Sequence, residues 1–176
     1  SDSNNGRVQK FDADGNFIAA WPIASADGDG SSFLEGIAVD ESTGRIYVGD
    51  WNSNLILMAD ADGQYVGEWG ADGATNSMLF ANPTDVAVAK DGTVLVTDSQ
   101  RQRLRFFTPD GELVQTWGGA GTDVGRYDGL TSVALDASGN IYVLDYNNAR
   151  IQVYSPDGEV IGVFSGRLAD SEVFSN

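Results

Sequence analysis

A chain with no histidine and no cysteine must do any chemistry with carboxylates, amides, hydroxyls and aromatic rings. The commonest general base and the imidazole and thiolate metal ligands are absent together, so a bound metal here would be a hard cation held by oxygens, calcium first. Two carboxylates qualify by position. Aligning Ile37, Val86 and Val133 as equivalent residues of a repeat puts Gly36, Asp85 and Ser132 at one level and Glu35, Thr84 and Thr131 at the next. Glu35 and Asp85 are therefore the candidate metal ligands, beside a leading expectation of no cofactor. Asp12-Ala13-Asp14-Gly15-Asn16 and Asp60-Ala61-Asp62-Gly63 brush against a calcium-loop pattern, but both lack its Gly at the sixth position and its Glu at the twelfth, and read as hairpin turns.

Recognition chemistry is better represented than catalysis. Trp51 and Tyr146 each follow directly after a recurring Asp, in polar loops where the other copies carry Ser3 and Ser99. An aromatic ring in a polar loop is harder to assign to a core than one on a strand. Asn52, Asn54, Gln100, Arg101, Asn147 and Asn148 lie in the same loops, and Arg126 and Tyr127 in a connecting loop. Together these form a candidate partner-binding face, the alternative being that each ring packs on the edge of its own unit. The recurring Asp50, Asp98 and Asp145 could line up for a cation, but more simply cap their loops through backbone N–H groups or pair with Arg five residues on, present as Arg7, Arg103 and Arg150 and replaced by Leu55 in one copy.

The elements that must position these residues follow from one repeated hairpin. The Asp-Gly turns Asp14-Gly15, Asp62-Gly63, Asp110-Gly111 and Asp157-Gly158 are 48, 48 and 47 residues apart. The closing aromatics Trp21, Trp69, Trp117 and Phe164 keep the same step, and so do Asp2, Asp50, Asp98 and Asp145. Short apolar runs around Asp-Gly predict antiparallel hairpins. Each full unit contains four such runs, for example 36–40, 45–48, 55–58 and 65–69. The expected organisation is the second half of a blade over 1–21, blades over 22–69, 70–117 and 118–164, and a lead-in to a further blade over 165–176. Four-stranded units at a fixed period predict an all-β chain, a β-propeller of antiparallel blades. A β-sandwich would also suit the strand spacing, but it does not require near-identical hairpins.

Gly36-Ile37-Ala38-Val39-Asp40 with Ile46-Tyr47-Val48, and Asp145-Tyr146-Asn147-Asn148-Ala149-Arg150-Ile151-Gln152-Val153-Tyr154 with Pro156-Asp157-Gly158, resemble the NHL repeat. The resemblance runs through four copies. It implies a propeller, typically of six blades, whose first strands line a central channel and whose second-to-third-strand and interblade loops crowd onto one face. Six units at this step need about 290 residues, so the expectation is a fragment whose remaining blades come from a longer chain or a partner subunit. Gluconolactonase-like propellers, which the fold also resembles, bind calcium at the channel mouth, the level of Glu35 and Asp85. NHL propellers that bind RNA have a basic face and NHL-like amidating lyases use histidine-bound metal; neither pattern is present in these residues.

With 26 acidic and 10 basic residues the formal charge is −16. Such a surface repels phosphate backbones, which argues against nucleic acid as a partner. It keeps a chain soluble at high salt or outside the cell, and no apolar run is long enough to span a membrane as a helix. The function expected from the sequence is a non-catalytic binding or scaffold module for a protein, peptide or glycan, extracellular or secreted. The alternatives are a metal-dependent hydrolase or lyase with a site at the channel mouth, or a structural part of an extracellular assembly.

Overall fold

A computed structural model describes residues 1–24, 32–70 and 80–166. Residues 167–176 of the expected lead-in over 165–176, and the connecting residues 25–31 and 71–79, lie outside the described residues. A single turn of 3-10 helix, Ser3–Asn5, precedes β1 (Arg7–Phe11) and β2 (Phe17–Pro22), which form a two-stranded antiparallel sheet. Three four-stranded antiparallel sheets follow in strict chain order. The first blade is β3 (Leu34–Val39), β4 (Ile46–Asp50), β5 (Leu55–Ala59) and β6 (Tyr65–Trp69). The second is β7 (Pro83–Val88), β8 (Val94–Asp98), β9 (Arg103–Phe107) and β10 (Leu113–Gly118). The third is β11 (Leu130–Leu135), β12 (Ile141–Asp145), β13 (Arg150–Tyr154) and β14 (Val160–Ser165).

The apolar cores lie between sheets. Residues alternate across the faces of a strand, and here both faces of the middle strands are covered, so β4 and β8 are buried along their whole length. Ile46 and Val48 turn towards Val8 and Trp21 of the two-stranded sheet, while Tyr47 turns towards Val86, Val94 and Phe107 of the second blade. Leu95, Leu104 and Phe106 of the second blade pack in turn on Val133, Val143 and Tyr154 of the third. The outermost strands β6, β10 and β14 are mostly exposed or half-buried.

The closing aromatics complete each seam. A Cβ added to Gly63 would stand 2.1 Å from the Trp21 ring, one at Gly111 2.5 Å from that of Trp69, and one at Gly158 2.7 Å from that of Trp117. The turn glycine of each blade is thus the seat of the preceding blade's indole, as well as the residue that supplies a φ of 77° to 89°. The Asp-Gly pattern by itself predicts only the hairpin reversal at these turns.

Among the described residues no helix is long and apolar enough to cross a membrane.

Candidate functional site: the loop face

The recurring Asp is the last residue of the second strand in each blade, deeper than its expected place in the polar loop. Asp50, Asp98 and Asp145 are all but fully buried, and each accepts a backbone N–H from the connecting loop seventeen residues earlier: Phe33 at 3.1 Å, Ala81 at 2.9 Å and Asp128 at 2.7 Å. These carboxylates tie the interblade loop to the loop between second and third strands. The backbone adds to the tie, with Trp51 N–H donating to Phe33 O, Gln100 N–H to Ala81 O and Tyr146 N–H to Gly129 O. The two sets of loops therefore share one face.

Arg7 pairs with Asp2 and Arg150 with Asp145, each at 2.7 Å. Asp98 departs from the expected spacing. Its partners are Arg105, seven residues on at 3.2 Å, and Arg101 at 3.4 Å, while Arg103 is exposed. Burial raises the Asp98 pKa against the pull of the Ala81 N–H and the two guanidinium groups. Burial likewise lowers that of Arg105, so desolvation pushes both members of the pair towards neutrality and their mutual attraction opposes it. At Asp50 the equivalent positions are Leu55 and Leu57, and the carboxylate is held by the Phe33 and Asn52 N–H groups.

Within this frame the sequence-derived candidates separate by burial. Tyr146 is 69 % exposed and Trp51 42 %, the latter edge-on to Phe33, also 38 % exposed, at 6.1 Å between ring centroids. Asn52, Gln100 and Arg126 are exposed. Arg101 is half-buried against Asp98. Asn147 is exposed and donates to the Asp128 carboxylate at 2.9 Å. Asn148 donates to Asp145 and to Gly121 O, and Asn54 accepts the Asn82 N–H at 2.7 Å, so both bind the scaffold.

Tyr127 has to be removed from the partner-binding set. It is fully buried, its hydroxyl donates to Tyr154 Oη at 2.9 Å, and burial raises its pKa far above that of a free phenol. Its ring fills the space under the connecting loop, where a partner would not reach it.

Two features of the face were not anticipated. Asn54 and Gln102, four residues after the recurring Asp and left-handed at φ 60° and 54°, reach the next blade; Gln102 accepts the Leu130 N–H at 2.9 Å. The shared offset from Asp was the available signal. Phe33 as the neighbour of Trp51 had none, because the equivalent positions, Ala81 and Asp128, carry no ring.

Glu35 and Asp85 sit where the inner strands bulge, at the register shifts Leu34/Ile37 of β3 and Pro83/Asp85 of β7. Burial and then the Asp85 charge raise the Glu35 pKa. Asp85 already accepts from Ser132 Oγ at 2.5 Å, Val133 N at 3.0 Å and Val86 N at 2.9 Å, binding the third blade to the second. Calcium takes six to eight oxygens. No group of three or more His, Cys, Asp or Glu residues able to hold a metal occurs among the described residues.

Successive four-stranded sheets, packed face to face and carrying their loops on one side, are the blades of a β-propeller. The NHL repeat family matches residues 80–107 and 128–154, in the second and third blades. The structure of a streptogramin B lyase is similar over 92 % of this chain and 48 % of its own, at TM-score 0.63 and 19 % identity. A catalytically inactive virginiamycin B lyase from Staphylococcus aureus, solved with quinupristin, is similar over 94 % of this chain and 50 % of its own, at TM-score 0.68 and 14 % identity. A protein of unknown function from Bacteroides caccae follows at TM-score 0.61 and 13 % identity, over 94 % of this chain and 56 % of its own. No curated protein matches in sequence. The chain spans about half the length of these solved structures, and at such identities the likeness concerns the fold alone.

Proposed function

We propose that this chain is a binding module that takes a protein, peptide or glycan on the loop face, outside the cell. The observation that carries the reading is the exposure of Trp51 and Tyr146 at equivalent places in two blades, on loops otherwise fastened to the scaffold by carboxylate and backbone bonds. A rigid frame with differing loops is a common way to build a recognition site, and aromatic anchors carry much of the energy of such contacts. The charge of −16 favours a neutral or basic ligand over a polyanion. Peptide and glycan arrays probed with the parent chain and with Trp51→Ala and Tyr146→Ala test this. Ligands retained by the parent and weakened at least about tenfold by either change support the reading. Equal binding by all three proteins would remove the loop face from the function.

A further inference from the structure

Six Asp-Gly pairs lie among the described residues: Asp14-Gly15, Asp62-Gly63, Asp91-Gly92, Asp110-Gly111, Asp128-Gly129 and Asp157-Gly158. An aspartate before glycine is the pair best able to close on itself, because the glycine has no Cβ to crowd the approach of its amide nitrogen to the side-chain carboxyl. Closure needs that nitrogen free to turn towards Cγ. In five pairs it is committed: the N–H groups of Gly15, Gly63, Gly92, Gly111 and Gly158 donate to the carbonyl three residues back at 2.9 to 3.1 Å, closing the turn. Gly129 is the exception. Its N–H donates to no acceptor of the described chain, and Asp128 beside it is exposed, with its Oδ1 accepting from Asn147 Nδ2 at 2.9 Å. A hydrogen bond to that oxygen draws electron density from Cγ, the atom to be attacked.

We propose that Asp128-Gly129 is a modification site of the folded chain, where aspartate isomerises to isoaspartate and in doing so unfastens the Tyr146 loop. The Gly129 nitrogen attacks Cγ of the protonated Asp128 carboxyl; an N–Cγ bond forms, the Cγ–OH bond breaks, and the hydroxyl leaves with the amide proton as water. The cyclic imide that results takes up one water again. Opening at Cγ restores aspartate. Opening at the former backbone carbonyl breaks the original peptide bond, so that the chain runs on through Cγ with one methylene more. Water is the only co-reactant, and no atom is oxidised or reduced. The two residues carry the ties between this connection and the Tyr146 loop: Asp128 N–H donates to Asp145 Oδ1 at 2.7 Å, Asn147 N–H to Asp128 O at 2.9 Å and Tyr146 N–H to Gly129 O at 3.1 Å. Isomerisation turns the carbonyl that receives Asn147 into a free carboxylate, and the added methylene moves the other groups out of register.

Peptide mapping by mass spectrometry, after incubation in heavy-oxygen water that marks every imide as it reopens, tests the proposal at each pair separately. The parent chain is incubated folded and in urea, where every pair has lost its turn, and the ratio of the two rates measures how far the fold slows each one. The hydrogen bond that the other five pairs must give up corresponds to about two- to tenfold in rate, so the slowing at Asp128 is expected to be smaller than at any of them by at least about twofold. Asp128→Glu, whose longer side chain would have to close a larger ring, is expected to show no label at that position and the parent's labelling elsewhere. Hydrogen exchange at the Tyr146 and Asn147 amides is expected to rise in step with isoaspartate in the parent and to stay constant in Asp128→Glu. A loss of ligand on ageing additionally requires the loop face to be the binding site, so the two readings fail separately. Asp128 slowed as much as the other five, or isoaspartate at that position with unchanged exchange at Tyr146 and Asn147, would overturn the proposal.

Discussion

Substituting alanine for the turn glycines tests whether the blades are joined by indole seats. At Gly111, φ is 89°, and a left-handed residue with a Cβ costs about 1–2 kcal/mol. The added Cβ also stands 2.5 Å from Trp69 Cγ, 2.7 Å from Cδ2 and 2.8 Å from Cβ, and the last cannot swing away without moving the backbone. Ordinary carbon contacts are about 3.5–4.0 Å, so the ring must shift by roughly 1 Å, an overpacking that typically costs about 1–3 kcal/mol. Gly111→Ala is therefore expected to lose about 2–5 kcal/mol. Gly15→Ala has a similar φ of 83° but open space, and is expected to lose only the backbone part, about 1–2 kcal/mol. Gly63→Ala, at 2.1 Å from Trp21, is expected to cost at least as much as Gly111→Ala; Gly158→Ala, which meets Trp117 at the ring edge, should fall between. Urea unfolding followed by tryptophan fluorescence and circular dichroism gives the order. Four equal losses would refute the seat, leaving the turn geometry as the whole effect.

Asp98→Asn leaves the Arg105 guanidinium, 1 % exposed, without its counter-charge and is expected to cost about 3–5 kcal/mol in urea unfolding, whereas Arg103→Ala, at an exposed position, stays within about 0.5 kcal/mol. The Asp40 carboxyl is held below its usual 3.8 by the Thr43 and Ser42 hydroxyls, so its contribution is present above that value and is lost as pH falls through the lower folded-state value. Asp40→Ala is expected to be less stable than the parent at neutral pH and to lose less on acidification; parallel losses would contradict that linkage. At −16, thermal melts in rising sodium chloride are expected to move upward as screening relieves repulsion in the folded state, and a falling melting temperature would count against this.

The sequence disclosed the architecture because the fold is periodic: Asp-Gly turns, closing aromatics and recurring Asp residues share one step, and the strands fall between them. It pointed to Arg103 as the partner of Asp98, where the structure has Arg105 and Arg101, because two positions on the strand are physically equivalent. Positions five and seven after the recurring Asp lie on the same face of a strand, so nothing local decides between Arg103, which is exposed, and Arg105, which is buried. Tyr127 looked like a loop aromatic because its neighbours are polar. Its counterpart Phe80, eighteen residues before Asp98 as Tyr127 is before Asp145, is buried in the same way, and the comparison points to an anchor under the loop. The double role of the turn glycines was hidden for a similar reason, since positive φ alone already accounts for a glycine there. Trp51 and Tyr146 do stand in the open, as their polar surroundings suggested, and the structure adds Phe33 beside the first.

Backbone amide chemical-shift mapping with a ligand selected from the peptide and glycan arrays is the most direct measure of which face recognises a partner. If the loop face is the binding site, the perturbed amides cluster at 51–54, 99–102 and 146–149, with the turns at 12–16, 60–64, 108–112 and 155–159 undisturbed. Perturbations confined to those turns would contradict the account, placing recognition on the opposite side of the blades.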